Sequence, residues 1–283
     1  MNVLPPEFQF SQSSLQDYWE CPRRFELRYL LRVQWPALKS EPVLEFEHRA
    51  ELGRRFHEMV YQSILGVPEE QIAAQATDPD LAAWWEAFVR SPILNALPAW
   101  RRAEFTLSAP FGGGHLSEGG YRLTAKYDLL AIDPGRRLVI VDWKTAGRPQ
   151  QRAALANRLQ TRVYPYLLVE AGRAWNSGQP PLPEQIEMIY WFTNEPSQPV
   201  HFHYSPAQWL SDRETLATLV REIASRRPAD FPLTLDEKKC LYCEYRSLCN
   251  RGTRAGVWDE AEGEPAPTLD LNLPFEQIGE IEF

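Results

Sequence analysis

The spacing of hydrophobic positions changes twice along the chain. In "SQSSLQDYWECPRRFELRYLLRV" (residues 11–33), apolar side chains recur at helical spacing at Leu15, Tyr18 and Trp19, then at Phe25, Leu27, Tyr29 and Leu30. Serines able to cap a helix precede them, so two helical pieces are expected to meet at Cys21-Pro22. A third helix is expected over about 45–65, with Phe46, Phe56, Val60 and Ile64 inward and Gly66 and Pro68 closing it, followed by a helical insertion over about 67–98. After Pro98 the period becomes two. "AEFTLSAPF" and "YRLTAKYDLLAI" read as strands separated by the flexible "GGGHLSEGG", and Asp133-Pro134-Gly135 turns the chain into another strand. Residues 150–172 return to helical spacing, with a kink or break expected at Pro165 and a stop at Gly172. "QIEMIYWFT" and "PVHFHYS" form a further strand pair, and Ser205-Pro206 introduces a last amphipathic helix. Helices mixed with strands in this order predict an α/β fold, a mixed sheet flanked by helices.

The segment "RRLVIVDWKTAG" (residues 136–147) carries the first chemical signal. Its apolar run suits a buried strand, yet it ends in a carboxylate, an indole and an ammonium. Side chains alternate along a strand, so Asp142 and Lys144 share one face and Trp143 takes the other. If the turn has three residues at its tip, Pro134 to Arg136, cross-strand partners have numbers that sum to 270, and Asp128 lies opposite Asp142. Opposed acids about 5 Å apart repel unless a cation lies between them. Mg²⁺ takes oxygen ligands, usually one or two carboxylates with water and phosphate completing its sphere, and it lowers the pKa of a bound water. The plainer alternative is a solvent-facing Asp128 and an edge salt bridge from Asp142 to Lys144.

Composition sharpens this picture in one respect. The chain has 283 residues, 44% hydrophobic and 24% charged, as in ordinary soluble proteins. No stretch approaches the roughly 20 apolar residues of a membrane span, and "MNVLPPEFQF" lacks the features of a signal peptide, so a cytoplasmic location without membrane attachment is expected. The net charge of −8 argues against a nucleic-acid partner until its position is considered. Residues 258–283 hold eight acids and no Lys or Arg, so the rest of the chain is neutral. Basic pairs recur there at Arg23/Arg24, Arg54/Arg55, Arg101/Arg102, Arg226/Arg227 and Lys238/Lys239.

Four cysteines complete the inventory. Cys240, Cys243 and Cys249 form C-x2-C-x5-C, and Cys21 lies 219 positions before the first of them. In a reducing compartment this pattern speaks for metal rather than disulfides. Four thiolates suit either tetrahedral zinc or a [4Fe-4S] cluster, and the spacing leaves both open. Either would tie the first helices to the end of the domain. Nearby Arg23, Arg24, Lys238, Lys239, Tyr242, Tyr245 and Arg246 could serve a single strand's phosphates and bases, or shield the metal.

The ordered set His57, Glu104, Asp128, Asp142-x-Lys144 and Gln160-x-x-x-Tyr164 resembles the PD-(D/E)XK nuclease superfamily, in particular its RecB-like branch. That branch includes nuclease domains of bacterial helicase-nuclease repair complexes and CRISPR-associated adaptation exonucleases. The resemblance spans about Ser11 to Cys249 and implies a restriction-endonuclease-like fold. It implies Mg²⁺ or Mn²⁺ on His57, Asp128 and Asp142, with Lys144 serving the attacking water and Glu104 close by. Gln160 and Tyr164, at i and i+4 on one helical face, join the catalytic set by the same resemblance. One departure is Ala125, where a glycine usually precedes the Asp. "YWECPRRF" with the C-terminal cysteine triplet is similar to the iron-sulfur subgroup of that branch, which selects a [4Fe-4S] cluster over zinc on Cys21, Cys240, Cys243 and Cys249.

The resulting expectation is one nuclease domain over residues 1–255, with a cysteine region at 236–251 joined to Cys21, and an acidic, disordered tail at 256–283. The expected activity is metal-dependent hydrolysis of DNA, as an exonuclease on single strands or ends, in repair, recombination or CRISPR-type defence. The alternative is a DNA-binding subunit of a repair complex that does not cut. In the tail, "LDLNLPF" (residues 269–275) weakly resembles peptides that dock on the replication sliding clamp, so a clamp or a repair or CRISPR protein is an expected partner there. A second possibility is that the tail mimics DNA in the basic groove.

Overall fold

The structure is a computed structural model that describes residues 4–5, 8–34, 41–111, 120–145 and 151–252, apart from the side chains of 41–47 and 242. The expectations for the acidic tail, for "LDLNLPF", for inward Phe46, for Tyr242 and for most of "GGGHLSEGG" fall outside the described residues.

Six strands form one mixed sheet: β1 (Gln9–Ser11), β2 (Trp100–Pro110), β3 (Arg122–Asp133), β4 (Arg137–Lys144), β5 (Ile186–Phe192) and β6 (Val200–His203). The path runs β1-β3-β4-β5-β6, with β2 antiparallel on the other side of β3. β1 pairs in parallel with β3 and β4 with β5, while the hairpins β3–β4 and β5–β6 are antiparallel.

The unbroken apolar run of β4 is explained by cover on both faces. Leu138 and Ile140 join one core with helices α1 (Gln12–Glu20), α7 (Leu159–Ala171) and α8 (Pro206–Ser225). Val139, Val141 and Trp143 join a second core with α3 (Glu41–Ile64) and α5 (Pro79–Arg90). The remaining helices, α2 (Pro22–Phe25), α4 (Glu69–Ala73) and α6 (Arg152–Ala156), are short. The expected α/β architecture is therefore present, and the insertion after α3 forms part of the second helical layer.

Local signals acted as expected at several ends. Ser11 caps α1 through a capping box with Ser14, and Ser205 caps α8 with Pro206 in its first turn. The hairpin closes at Asp133–Arg137, so its tip is the three-residue turn whose register sums to 270. One break falls at a different place from that expected. The helical stretch over 150–172 breaks at Asn157-Arg158, between α6 and α7, and Pro165 lies inside α7. Residues Val163 to Leu168 are all buried against the sheet, and that packing outweighs the backbone bond that proline cannot make.

Four rings fix α3 on the sheet. Phe56 stacks on Trp191 with centroids 6.1 Å apart, Phe88 meets Trp143 edge-on at 5.5 Å, and the two indoles touch at 5.7 Å. Deleting one such ring typically costs about 3–5 kcal/mol, so α3 is rigidly placed one residue before His57.

Candidate active site

The β3–β4 ladder ends at Leu129–Val141. On that edge of β3, Arg122 to Thr124 pair with β1 and Leu129 to Asp133 with β4. Beyond Val141, β4 continues beside β5 as far as Lys144. The two strands therefore part at Asp128 and Asp142, the next step of the register. Asp128 Oδ2 accepts a hydrogen bond from the Trp143 N–H at 2.9 Å, so a side chain replaces the missing backbone rung.

The other edge of β3 is broken at the same residue. Ala103 pairs with Leu129 and Phe105 with Tyr127, but no pairing joins Glu104 to Asp128 between them. Glu104 has φ +54°, left-handed backbone that costs a non-glycine residue on the order of 1–3 kcal/mol. The break reverses the alternation of both strands. Leu107, Ala125 and Tyr127 belong to the α1–α7–α8 core, whereas Leu129 and Ala131 belong to the α3–α5 core, with Ala103 packed against it.

Both helical layers reach this opening. From α3, His57 Nε2 lies 3.1 Å from the Trp143 carbonyl oxygen, which can only accept, so Nε2 carries the hydrogen. The other nitrogen, Nδ1, faces Asp128 Oδ1 at 3.5 Å. Facing a carboxylate, Nδ1 calls for positive charge there, either its own proton or a bound cation. With Nδ1 protonated the two groups form an ion pair, whose place a bound cation would take, and a backbone carbonyl holding the far N–H is the usual support of a metal-binding histidine. Ligand atoms of His57, Glu104 and Asp128 all lie within 4.8 Å of one another. Burial opposes ionisation of Asp128, but His57, Lys144 and the Trp143 N–H outweigh it and hold its carboxyl below the usual range.

The α7 side supplies the rest. Lys144 Nζ is 2.6 Å from Asp142 Oδ2 and 3.4 Å from Gln160 Oε1, and Gln160 Nε2 donates to Asp142 Oδ1. Burial, then Asp142 and Asp128, raise the Tyr164 phenol well above its ordinary value, so it remains a donor at neutral pH. Tyr164 lies one turn after Gln160 on α7 and meets the Tyr127 ring, next to Asp128 in sequence, at 5.0 Å.

A family model for the PD-(D/E)XK nuclease superfamily matches residues 9–250. The chain belongs to that superfamily. Two solved structures resemble this nuclease domain at 12% identity. One is a candidate exonuclease from Eubacterium rectale, with TM-score 0.49 over 95% of this chain and 94% of that one. The other is the protein SSO0001, with TM-score 0.41 over 87% of each. No curated protein matches the sequence significantly.

Within this nuclease fold, His57, Glu104 and Asp128 form one group, and Asp142, Lys144, Gln160 and Tyr164 form another across the parted strands. Asp142, expected as a metal ligand, is held by Lys144 and Gln160 and stands outside the three-residue group. Glu104, expected close by, is inside it. Two contributors escaped the sequence reading. Lys126 Nζ pairs with Glu104 Oε2. Gly53, one turn before His57, lets α3 approach the end of β4, since a Cβ there would lie 2.9 Å from Thr145 Oγ1. A glycine inside a predicted helix was the available signal.

The cysteines converge at the α1–α2 junction, where Cys21 lies. All four are free thiols, and Cys21 lies close enough that its charge would raise the pKa of each of the other three. Burial raises the Cys243 thiol to about 11, with Arg24 and Arg28 among the opposing charges. The cations suggested for a DNA strand are largely committed elsewhere. Arg24 lies 2.8 Å from Asp17, Arg28 lies 2.6 Å from the same carboxylate, Arg23 pairs with Glu26, and Lys239 approaches Glu20 at 3.6 Å. Arg246 and Tyr245 are buried, and the Tyr245 hydroxyl donates to the Val33 carbonyl. Among the described residues, no helix is long and apolar enough to cross a membrane.

Proposed function

We propose that this protein is a divalent-metal-dependent deoxyribonuclease of the RecB-like branch, acting on single strands or ends. The observation that carries the reading is the His57 ring, with Nε2 3.1 Å from the Trp143 carbonyl oxygen and Nδ1 3.5 Å from Asp128 Oδ1, beside Glu104. These three residues would hold Mg²⁺ or Mn²⁺, with Asp142 the next carboxylate across the opening. Such an ion supplies a polarised phosphoryl oxygen and a water acidic enough to attack near neutral pH. Asp142 and Gln160 fix the Lys144 ammonium, and Lys144 orients the attacking water. Tyr164, held protonated, donates to a phosphate oxygen.

The cysteines would hold a [4Fe-4S] cluster. Four thiolates suit either this cluster or zinc, and the resemblance of "YWECPRRF" and the cysteine triplet to the iron-sulfur subgroup supports the cluster. Its role is a clip between the α1–α2 junction and the chain near Cys249. The domain would run over 1–255 and act in repair, recombination or defence, with the tail as a docking segment for a clamp or repair protein.

The test is incubation of the purified chain with labelled single-stranded and duplex DNA, with Mn²⁺, Mg²⁺ or chelator. Metal-dependent shortening that disappears in Asp142→Asn and Lys144→Ala is expected. Binding without cleavage by the wild-type chain would establish the non-cutting alternative.

A further inference from the structure

Most cations near the opening are neutralised by an acid. Lys144 is held by Asp142, Lys126 by Glu104, and Arg162 by Asp212 at 2.8 Å. Two arginines on the α6–α7 side differ. Among the described residues, no carboxylate lies within 4.0 Å of the guanidinium of Arg152 or Arg158. Arg152 is exposed and Arg158 partly so.

Arg152 is tied to the site through aromatic rings, and Arg158 by its place at the start of α7. Lys144 Nζ lies 5.7 Å from the centroid of Tyr190, whose hydroxyl is 2.7 Å from Thr161 Oγ1 on α7. Arg158 immediately precedes α7 and makes no side-chain capping bond. Its carbonyl accepts the Thr161 N–H at 3.1 Å, so Arg158 stands one turn before the residue that touches the Tyr190 hydroxyl. Tyr190 meets Phe202 edge-on at 5.9 Å, and the Arg152 guanidinium lies 4.3 Å over the Phe202 ring while donating to the His201 carbonyl. Phe202 pairs with Met188, and Lys144 with Phe192. Two strand spacings and four strand residues therefore separate Lys144 from Phe202, roughly 15 Å.

A stripe of rings leading from a candidate catalytic lysine to cations that no described acid pairs matches the chemistry of a single nucleic-acid strand. Its phosphates need cations not already spent on acids, and aromatic backing keeps those cations in place. We propose that Arg158, and beyond it Arg152 on the Phe202 ring, bind the phosphates of the DNA single strand as it leaves the site across β5 and β6. This assignment rests on the nuclease reading and adds the direction in which the strand runs. The two arginines are positioning residues, not catalytic ones.

The experiment is fluorescence anisotropy of a labelled 20-nucleotide oligothymidylate with the full chain in chelator, over a range of KCl, beside cleavage of the same strand with Mn²⁺. In Arg152→Gln/Arg158→Gln, affinity at low salt should fall about tenfold, and the slope of log K against log salt should flatten by about 0.7 for each phosphate contact removed. Arg158→Lys alone should keep most of the slope, and cleavage should lose KM rather than kcat. If the wild-type chain cleaves and the double variant binds with unchanged affinity and slope, this inference fails and the nuclease reading stands. If the wild-type chain neither binds nor cleaves, both fall. Equal competition by an unlabelled RNA strand would overturn the commitment to DNA.

Discussion

Glu104 and Asp128 face one another at a gap in the β2–β3 ladder, flanked by paired residues on both sides. A strained backbone at Glu104 turns its carboxylate toward His57 and Asp128. The strain is retained in exchange for a site, as expected where function and stability compete. Glu104→Gly should relieve the left-handed backbone and stabilise the metal-free fold by about 1 kcal/mol, a rise in Tm of roughly 2 °C. The same variant should lose Mn²⁺ affinity by tenfold or more. Calorimetry and metal titration on one preparation check both parts, and a lower Tm would contradict the strain.

Gly53 offers a second separation of stability from activity. Alanine is favoured over glycine in a helix by about 1 kcal/mol, but a Cβ at 53 would press on Thr145 and push α3 away from β4. Gly53→Ala should therefore remain folded and lose cleavage several-fold, because His57 moves with the helix. Full activity would show that α3 tolerates the displacement.

Acid should expose Asp128. Its folded carboxyl titrates below the usual value, so its contribution to stability is complete above the unfolded pKa of about 3.9 and drains away as pH falls through the folded one. Melting curves between pH 6 and pH 2.5 should show a steeper acid-side loss in the wild-type chain than in Asp128→Asn. Parallel curves would refute the assignment.

The cysteine clip predicts colour and a long-range effect. The purified chain should absorb in the visible and contain iron, and Cys21→Ala should lose both. That variant should also melt at lower temperature, since it unlinks residues 219 positions apart in sequence. Colourless protein containing zinc would replace the cluster with zinc.

The sequence by itself determined five of the six strands, the burial of β4, the hairpin register and the identity of the polar residues, because alternation and turn chemistry are local; β1, only Gln9–Ser11, was not among them. Ser11, Ser205 and the tip at Pro134 to Arg136 acted as their own neighbours dictated. It did not reveal where the alternation reverses. That reversal sits at the gap in the β2–β3 ladder, where β3 also leaves β4 for β1, and packing among strands far apart in the chain sets it. Tertiary structure alone decided that Glu104 joins His57 and Asp128, that Asp142 turns to Lys144 and Gln160, and that Arg24 and Arg28 are spent on Asp17. Charges find partners across space, and their spacing in sequence carries no record of which acid will be nearest.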